Sequence, residues 1–200
     1  SIYLKRPVDG ILAERAPVTM TLGALSLTFA LVLAIPLGVL AAMFPNTIID
    51  RFALTIAVIG QALPNFFFAL IMIILFGVWL RWLPISGHAS WLNFIMPSIA
   101  LGYYATPAIM RLTRAGMMDV LSSDYIRTAR AKGLKPRVVL FKHALRNAII
   151  PVVSFSAVQL GFMLGGSIII ESIFSLNGLG SLAWQSIQRS DFEVMQAIVL

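Results

Sequence analysis

The sequence predicts an all-α, polytopic transmembrane helix bundle, and three observations carry that expectation. Hydrophobic residues make up 59% of the 200 residues and charged residues only 12%, against about 45–50% and about 25% in ordinary soluble domains. Mean hydropathy is +0.91. Charges leave four long uncharged windows, residues 16–49, 52–80, 82–110 and 147–170. A helix needs about 20 apolar residues to cross roughly 30 Å of hydrocarbon, so each window holds one span, and residues 194–200 begin another.

Residues 1–16 carry Lys5, Arg6, Asp9, Glu14 and Arg15, with Pro7 and Gly10 opposing regularity, and read as a lead-in on the outer surface of the membrane. Residues 17–200 read as one transmembrane domain. Pro17 suits the first turn of a helix, and the first span covers about 18–44. Pro36 and Gly38 fall in its second half, where neighbouring helices re-satisfy freed carbonyls. Phe44-Pro45-Asn46 turns the chain, and Asp50-Arg51 ends the short loop.

The second span, about 52–80, holds Gln61, Pro64 and Asn65 near its middle. Amides at that depth need partners inside a bundle. They read as a kink glued to a neighbouring helix or as a substrate contact. Trp79, Trp82 and Trp91 around the loop 81–90 suit interfacial depth, and His88 there reads as a solvated loop residue without a second ligand. The third span, about 92–110, contains Pro97, Gly102 and Pro107. The fourth, about 148–170, carries Gly161 and Gly165, a spacing that lets helices approach closely in lipid. Residues 171–193 form an amphipathic outer loop region. The chain starts at Ser1 and stops inside an apolar run, so it reads as a piece of a longer protein with no signal peptide in view.

Between the third and fourth spans lies a basic island, Arg111–Pro151. Nine bases face two acids there, a balance of +7 that equals the net charge of the whole chain. At roughly 2.5–3.5 kcal/mol for each Arg or Lys at a helix centre, the island cannot enter the bilayer core. The positive-inside rule puts it in the cytoplasm together with the 44–51 turn, and puts 1–16, 81–90 and 171–193 outside. Ser122-Ser123-Asp124 offers an N-cap and an acidic first turn, and Gly133 offers a left-handed C-terminal residue, predicting a short helix over about 125–132. Pro136 begins a second helix leading through His143 and Arg146 into the fourth span. Such a loop, 111–147, either transmits a push from a soluble partner or is a solvated connector that only sets topology.

The runs DYIRTARAKGL and HALRNAIIPVV resemble the cytoplasmic signature loop of binding-protein-dependent ABC importer permeases, in particular the first membrane subunit of the dipeptide, oligopeptide, nickel and glutathione type. That family's pattern is Glu-Ala-Ala, three residues, Gly, nine residues, then Ile-x-Leu-Pro. Here Arg127-Thr128-Ala129 fills the first triplet, Gly133 the glycine and His143-Ala144-Leu145-Arg146 the last four. Arg127, His143 and Arg146 depart from the general pattern as peptide-type first subunits do. WLPISG and ESIFSLNGLG extend the likeness, with Asn177 where relatives commonly have Pro.

The resemblance implies the type I importer permease fold in a bacterial or archaeal cytoplasmic (inner) membrane. Its implied partners are a homologous second permease, two ABC ATPases and an extracytoplasmic substrate-binding protein. ATP and Mg belong to those ATPases, and no cofactor or metal belongs to this chain. Tyr125, Arg127, Thr128, Ala129, Arg130, Ala131, Lys132, Gly133, Leu134, His143 and Arg146 become the ATPase-coupling residues. Ala129 and Ala131 let the helix seat closely in a groove, and Arg127 and Arg130 bond groups within it. Gln61, Asn65 and Gln159 become candidates for the translocation path. Glu171, Gly178 and Gly180 mark the outer loop, where peptide is delivered.

Other classes fare worse. No Gly-x-x-x-x-Gly-Lys-Ser/Thr phosphate loop occurs, so the chain does not bind ATP by that route and is not expected to be an enzyme. Residues 178–183 match a Gly-x-Gly-x-x-Ala pattern but follow an apolar span instead of a strand. Cysteine is absent, which excludes disulfides and thiolate sites. Ser26, Ser98, Ser154 and Ser156 have no histidine partner in the spans and suit interhelical hydrogen bonds. No aromatic series interleaves the bases, against nucleic acid. An ion channel or secondary carrier without an ATPase is the rival, and the lack of mid-span charge opposes it.

Overall fold

The computed structural model describes residues 7–87 and 90–199, and every regular element among them is helical. His88 lies outside the described residues, as do residues 1–6 of the expected lead-in. Helix α1 spans Val8–Met43, α2 Ile48–Ala62, α3 Asn65–Trp79 and α4 Trp91–Gly102. Helix α5 spans Thr106–Leu121 and α6 Asp124–Ala131. Helix α7 covers residues 136–148, with π-helical turns over Val139–Leu145. Helices α8, α9 and α10 cover Ile150–Ile173, Leu179–Gln188 and Phe192–Val199.

Among the described residues two helices, α1 and α8, are long and apolar enough to cross a bilayer unbroken. The other two expected spans are each divided. The second breaks at Leu63–Pro64, where Pro64 is extended (φ −62°, ψ 141°) and precedes α3, in keeping with the kink reading of that stretch. The third breaks at Tyr103–Ala105. Pro107 stands in the first turn of α5, and its missing N–H removes the bond that would tie a continuous helix to Tyr103. Helix α1 begins at Val8, well before the expected 18, so residues 8–16 continue into the apolar helix and Pro17 lies within it. The amphipathic region after α8 contains a helix, α9.

The chain divides into two compact units, one made of Phe29–Ala62 with Tyr103–Gln159 and the other of the remaining segments. In the first, Val39 and Ala42 of α1 pack with Met117 of α5, Ile126 and Ala129 of α6, and Val139, Ala144 and Ala148 of α7. Gly38 makes the approach of α1 to α5 possible, since a Cβ there would stand 2.7 Å from the Met110 carbonyl oxygen. In the second, Ile11 of α1 packs with Leu182 of α9 and Val194 of α10.

Candidate functional site

The basic island folds as the end of α5, then α6, then α7. Ser123 precedes α6 in extended conformation but its hydroxyl does not cap the helix. It donates back to the Val120 carbonyl at 2.6 Å, and Ser122 does the same to Asp119 at 2.8 Å. The expected capping serines therefore close α5 and leave the start of α6 to Asp124, whose charge suits a helix N-terminus. The other end follows the expectation. Gly133 has φ +75°; its N–H bonds to Arg130 O at 2.9 Å, and the Leu134 N–H bonds to Ala129 O at 3.4 Å. This pair of bonds is a Schellman motif.

One face of α6 is buried and the other is bare. Ile126 is fully buried and Ala129 is 7% exposed, whereas Tyr125, Arg127, Thr128, Arg130, Ala131 and Lys132 are exposed, as are Gly133 and Leu134. Ala129 thus packs into the chain's own core and does not offer itself to a partner, correcting its expected seating role. Ala131 keeps a free surface. The Arg127–Asp124 pair at 3.3 Å is almost fully solvated and adds little. Asn147 of α7 donates to the Tyr125 hydroxyl at 2.9 Å, tying α6 to α7. His143 is half-buried and Arg146 exposed on α7.

A buried ion pair fixes the base of this loop. Arg114 of α5 grips Asp50 of α2 with two bonds, Nε to Oδ1 and Nη2 to Oδ2, both 2.7 Å. Asp50 is 2% exposed. The Asn46 N–H also donates to Oδ2 at 2.9 Å, so the carboxylate closes the turn between α1 and α2. The Arg114 bond holds the Asp50 carboxyl below the ordinary carboxylate range, against burial, with Asn46 and Arg51 assisting. Arg114 is correspondingly raised by Asp50. Sequence reading passed over this pair, because Asp50 looked like a loop terminator and its partner lies 64 positions away.

Gln61 is exposed and accepts from Arg111 Nη2 at 3.2 Å. Its nearest charged neighbour is thus an island arginine. Asn65 and Gln159 are half-buried, and they belong to different units.

The outer-loop residues form a second constellation. Glu171 is fully buried and accepts from Thr19 Oγ1 at 2.7 Å, Ser167 Oγ at 2.8 Å and the Ser181 N–H at 2.9 Å. Thr19 Oγ1 in turn accepts from the Leu179 N–H at 2.8 Å. Gly178 and Gly180 are required by this closeness: a Cβ at Gly178 would stand 2.5 Å from both Glu171 Oε2 and Thr19 Oγ1. Glu171 therefore pins the 176–181 turn from inside instead of facing solvent. The sequence signal was Ser167 four residues before Glu171, one helical turn away.

Comparison with known families matches residues 34–200 to the binding-protein-dependent transport system inner membrane component. The chain belongs to this family. It is therefore an inner-membrane component, multi-pass like the family. It is 43% identical over all 200 residues to the glutathione transport system permease protein GsiC of Escherichia coli K12, and 42% identical to that of Pectobacterium atrosepticum. The chain spans 65% of the length of these relatives. Its fold matches the MetNI methionine ABC transporter in inward-facing form with TM-score 0.76 at 22% identity, covering 98% of this chain and 91% of that one. An amino acid ABC transporter crystallised with histidines gives TM-score 0.68 at 18% identity, with 96% and 85% covered.

Proposed function

We propose that this chain is the membrane-spanning part of an ATP-driven importer subunit for small peptides of the glutathione kind, working beside a related second permease. In this reading 111–147 is cytoplasmic and α6 couples two separate ATPases, which hold the ATP and Mg, to alternating access. A substrate-binding protein delivers cargo to the outer face near 171–193. Asn65 and Gln159 remain the path candidates, with Gln61 shared with Arg111.

The observation that carries the reading is the divided character of α6. Its inner face, Ile126 and Ala129, anchors it in the core, while Tyr125, Arg127, Thr128, Ala131 and Lys132 are left for a partner. A helix of eight residues is too short to hold itself, so what moves it is passed to the core it packs against. Family membership and the GsiC likeness support the peptide class.

A single Cys at Ala131 in the full-length complex, carrying a short photo-crosslinker in native membranes, tests this. Capture of an ABC ATPase, identified by mass spectrometry, is expected. Reaction with lipid alone while the ATPases are present would sink the coupling role and bring a channel or carrier forward.

A further inference from the structure

A cleft of about 500 Å³ opens beside the coupling helix, lined by Met43 of α1, Leu121 of α5, Arg130 of α6, Leu134, and Arg137 and Leu140 of α7. Its walls are apolar apart from the two guanidinium groups, and no carboxylate lines it. The island's two acids, Asp119 and Asp124, are not among the cleft's lining residues; Asp124 pairs with Arg127, and Asp50, from outside the island, meets Arg114. Among the described residues neither Arg130 nor Arg137 is paired with a carboxylate.

Two unpaired guanidiniums over an apolar floor match a ligand with an anionic head and a hydrocarbon body. Met43 is the last residue of the apolar helix α1, so the cleft lies where a membrane helix ends. Phospholipids are the amphiphiles present at that level, and basic pockets beside transmembrane helices on the cytoplasmic side suit anionic headgroups. Arginine suits phosphate because its planar fork offers two parallel donors. A free phosphate would satisfy the arginines but leave the apolar walls uncovered.

We propose that this cleft holds an anionic phospholipid, its phosphate between Arg130 and Arg137 and its acyl chain along Leu121, Leu140 and Met43. The two arginines flank Gly133, so the headgroup bridges both limbs of the coupling loop and sets the angle between α6 and α7. The proposal rests on the cytoplasmic placement of 111–147 given above.

The test uses the whole permease–ATPase complex in phosphatidylcholine vesicles containing phosphatidylglycerol with a photoreactive acyl chain, with adducts mapped by peptide mass spectrometry. Adducts on peptides bearing Leu121 or Leu140 are expected. They should fall about tenfold or more in the Arg130→Gln/Arg137→Gln double variant and stay unchanged in Lys142→Gln. Equal labelling by a photoreactive phosphatidylcholine in the wild-type complex overturns the proposal without reliance on any variant. So does equal loss in Lys142→Gln, which marks diffuse surface charge. Displacement of the probe by inorganic phosphate would mean a free-anion site, and no adduct would mean that the ATPase covers the cleft; either also overturns it. ATPase co-purification is scored separately, so failure of the importer reading is seen independently of lipid labelling.

Discussion

Asp50 and Glu171 show what a buried carboxylate does in so apolar a chain: each gathers the N–H and O–H donors of a turn that would otherwise be loose. For Asp50 the consequence can be measured. Removing one partner of a buried pair leaves the other uncompensated, so Asp50→Ala should destabilise the detergent-solubilised protein by about 3 kcal/mol, read as a fall in melting temperature. Acid should do the same to the wild type. The unfolded carboxyl takes its proton near pH 4, whereas Arg114 keeps the folded one ionised to lower pH. Between those values the unfolded state binds more protons, so the contribution is full above about pH 4 and is lost as pH falls through the folded value. The melting-temperature gap between wild type and Asp50→Asn should therefore narrow as pH drops below 4. A gap that holds constant through that range would show that the ion pair is not what stabilises the turn. The remote partners, Arg114 and Thr19, were not legible in the sequence, because they lie far from the carboxylates in the chain; Ser167, one turn before Glu171, was the local signal.

At the scale of elements, local chemistry was legible and orientation was not. Helix α6 and its Gly133 stop follow from Asp124 and a glycine, both acting within one turn. Which alanine faces inward does not follow, because Ala129 is turned in by Met117, Val139 and Ala144 from other elements. The start of α1 was misplaced for a related reason. A proline at the start of an apolar run reads as a first turn, yet a helix packed against α9 and α10 through Ile11 carries Pro17 inside it. At 1.5 Å per residue α1 is ~54 Å long, well beyond the roughly 30 Å of hydrocarbon. Its polar beginning can thus stay in headgroups while it remains helical. The Gly133 stop gives a clean test, since a Cβ there meets nothing within 4 Å and only the backbone conformation opposes a side chain. Gly133→Val should lower substrate-stimulated ATP hydrolysis by the reconstituted complex about fivefold or more, following a backbone penalty of about 1–2 kcal/mol. Gly133→Asn, which tolerates the left-handed region, should restore most of it. Equal loss in both variants would point to the partner surface and away from the turn.

For the whole molecule the decisive quantity is which way the chain crosses the membrane. All of the net charge, +7, sits in 111–151, and the spans flanking it have no comparable counterweight on the other side. By the positive-inside rule this charge favours the proposed orientation, with α6 in the cytoplasm. The four uncharged windows gave that order of sides correctly only if the divided windows, α2 with α3 and α4 with α5, each still cross once. Their breaks at Pro64 and Tyr103 lie within the windows, and two consecutive short helices can pass through a bilayer where neighbouring protein satisfies the freed backbone groups. The absence of cysteine makes the question directly accessible. Single cysteines at Asn177 and Lys135, both exposed, report opposite sides. In spheroplasts an impermeant maleimide should label Asn177→Cys at once and Lys135→Cys only after permeabilisation. If Lys135→Cys is labelled from outside, α6 faces away from every cytoplasmic ATPase, and the coupling role fails whatever the loop's local geometry. If both are labelled from outside, the unbroken helix between them, α8, does not cross.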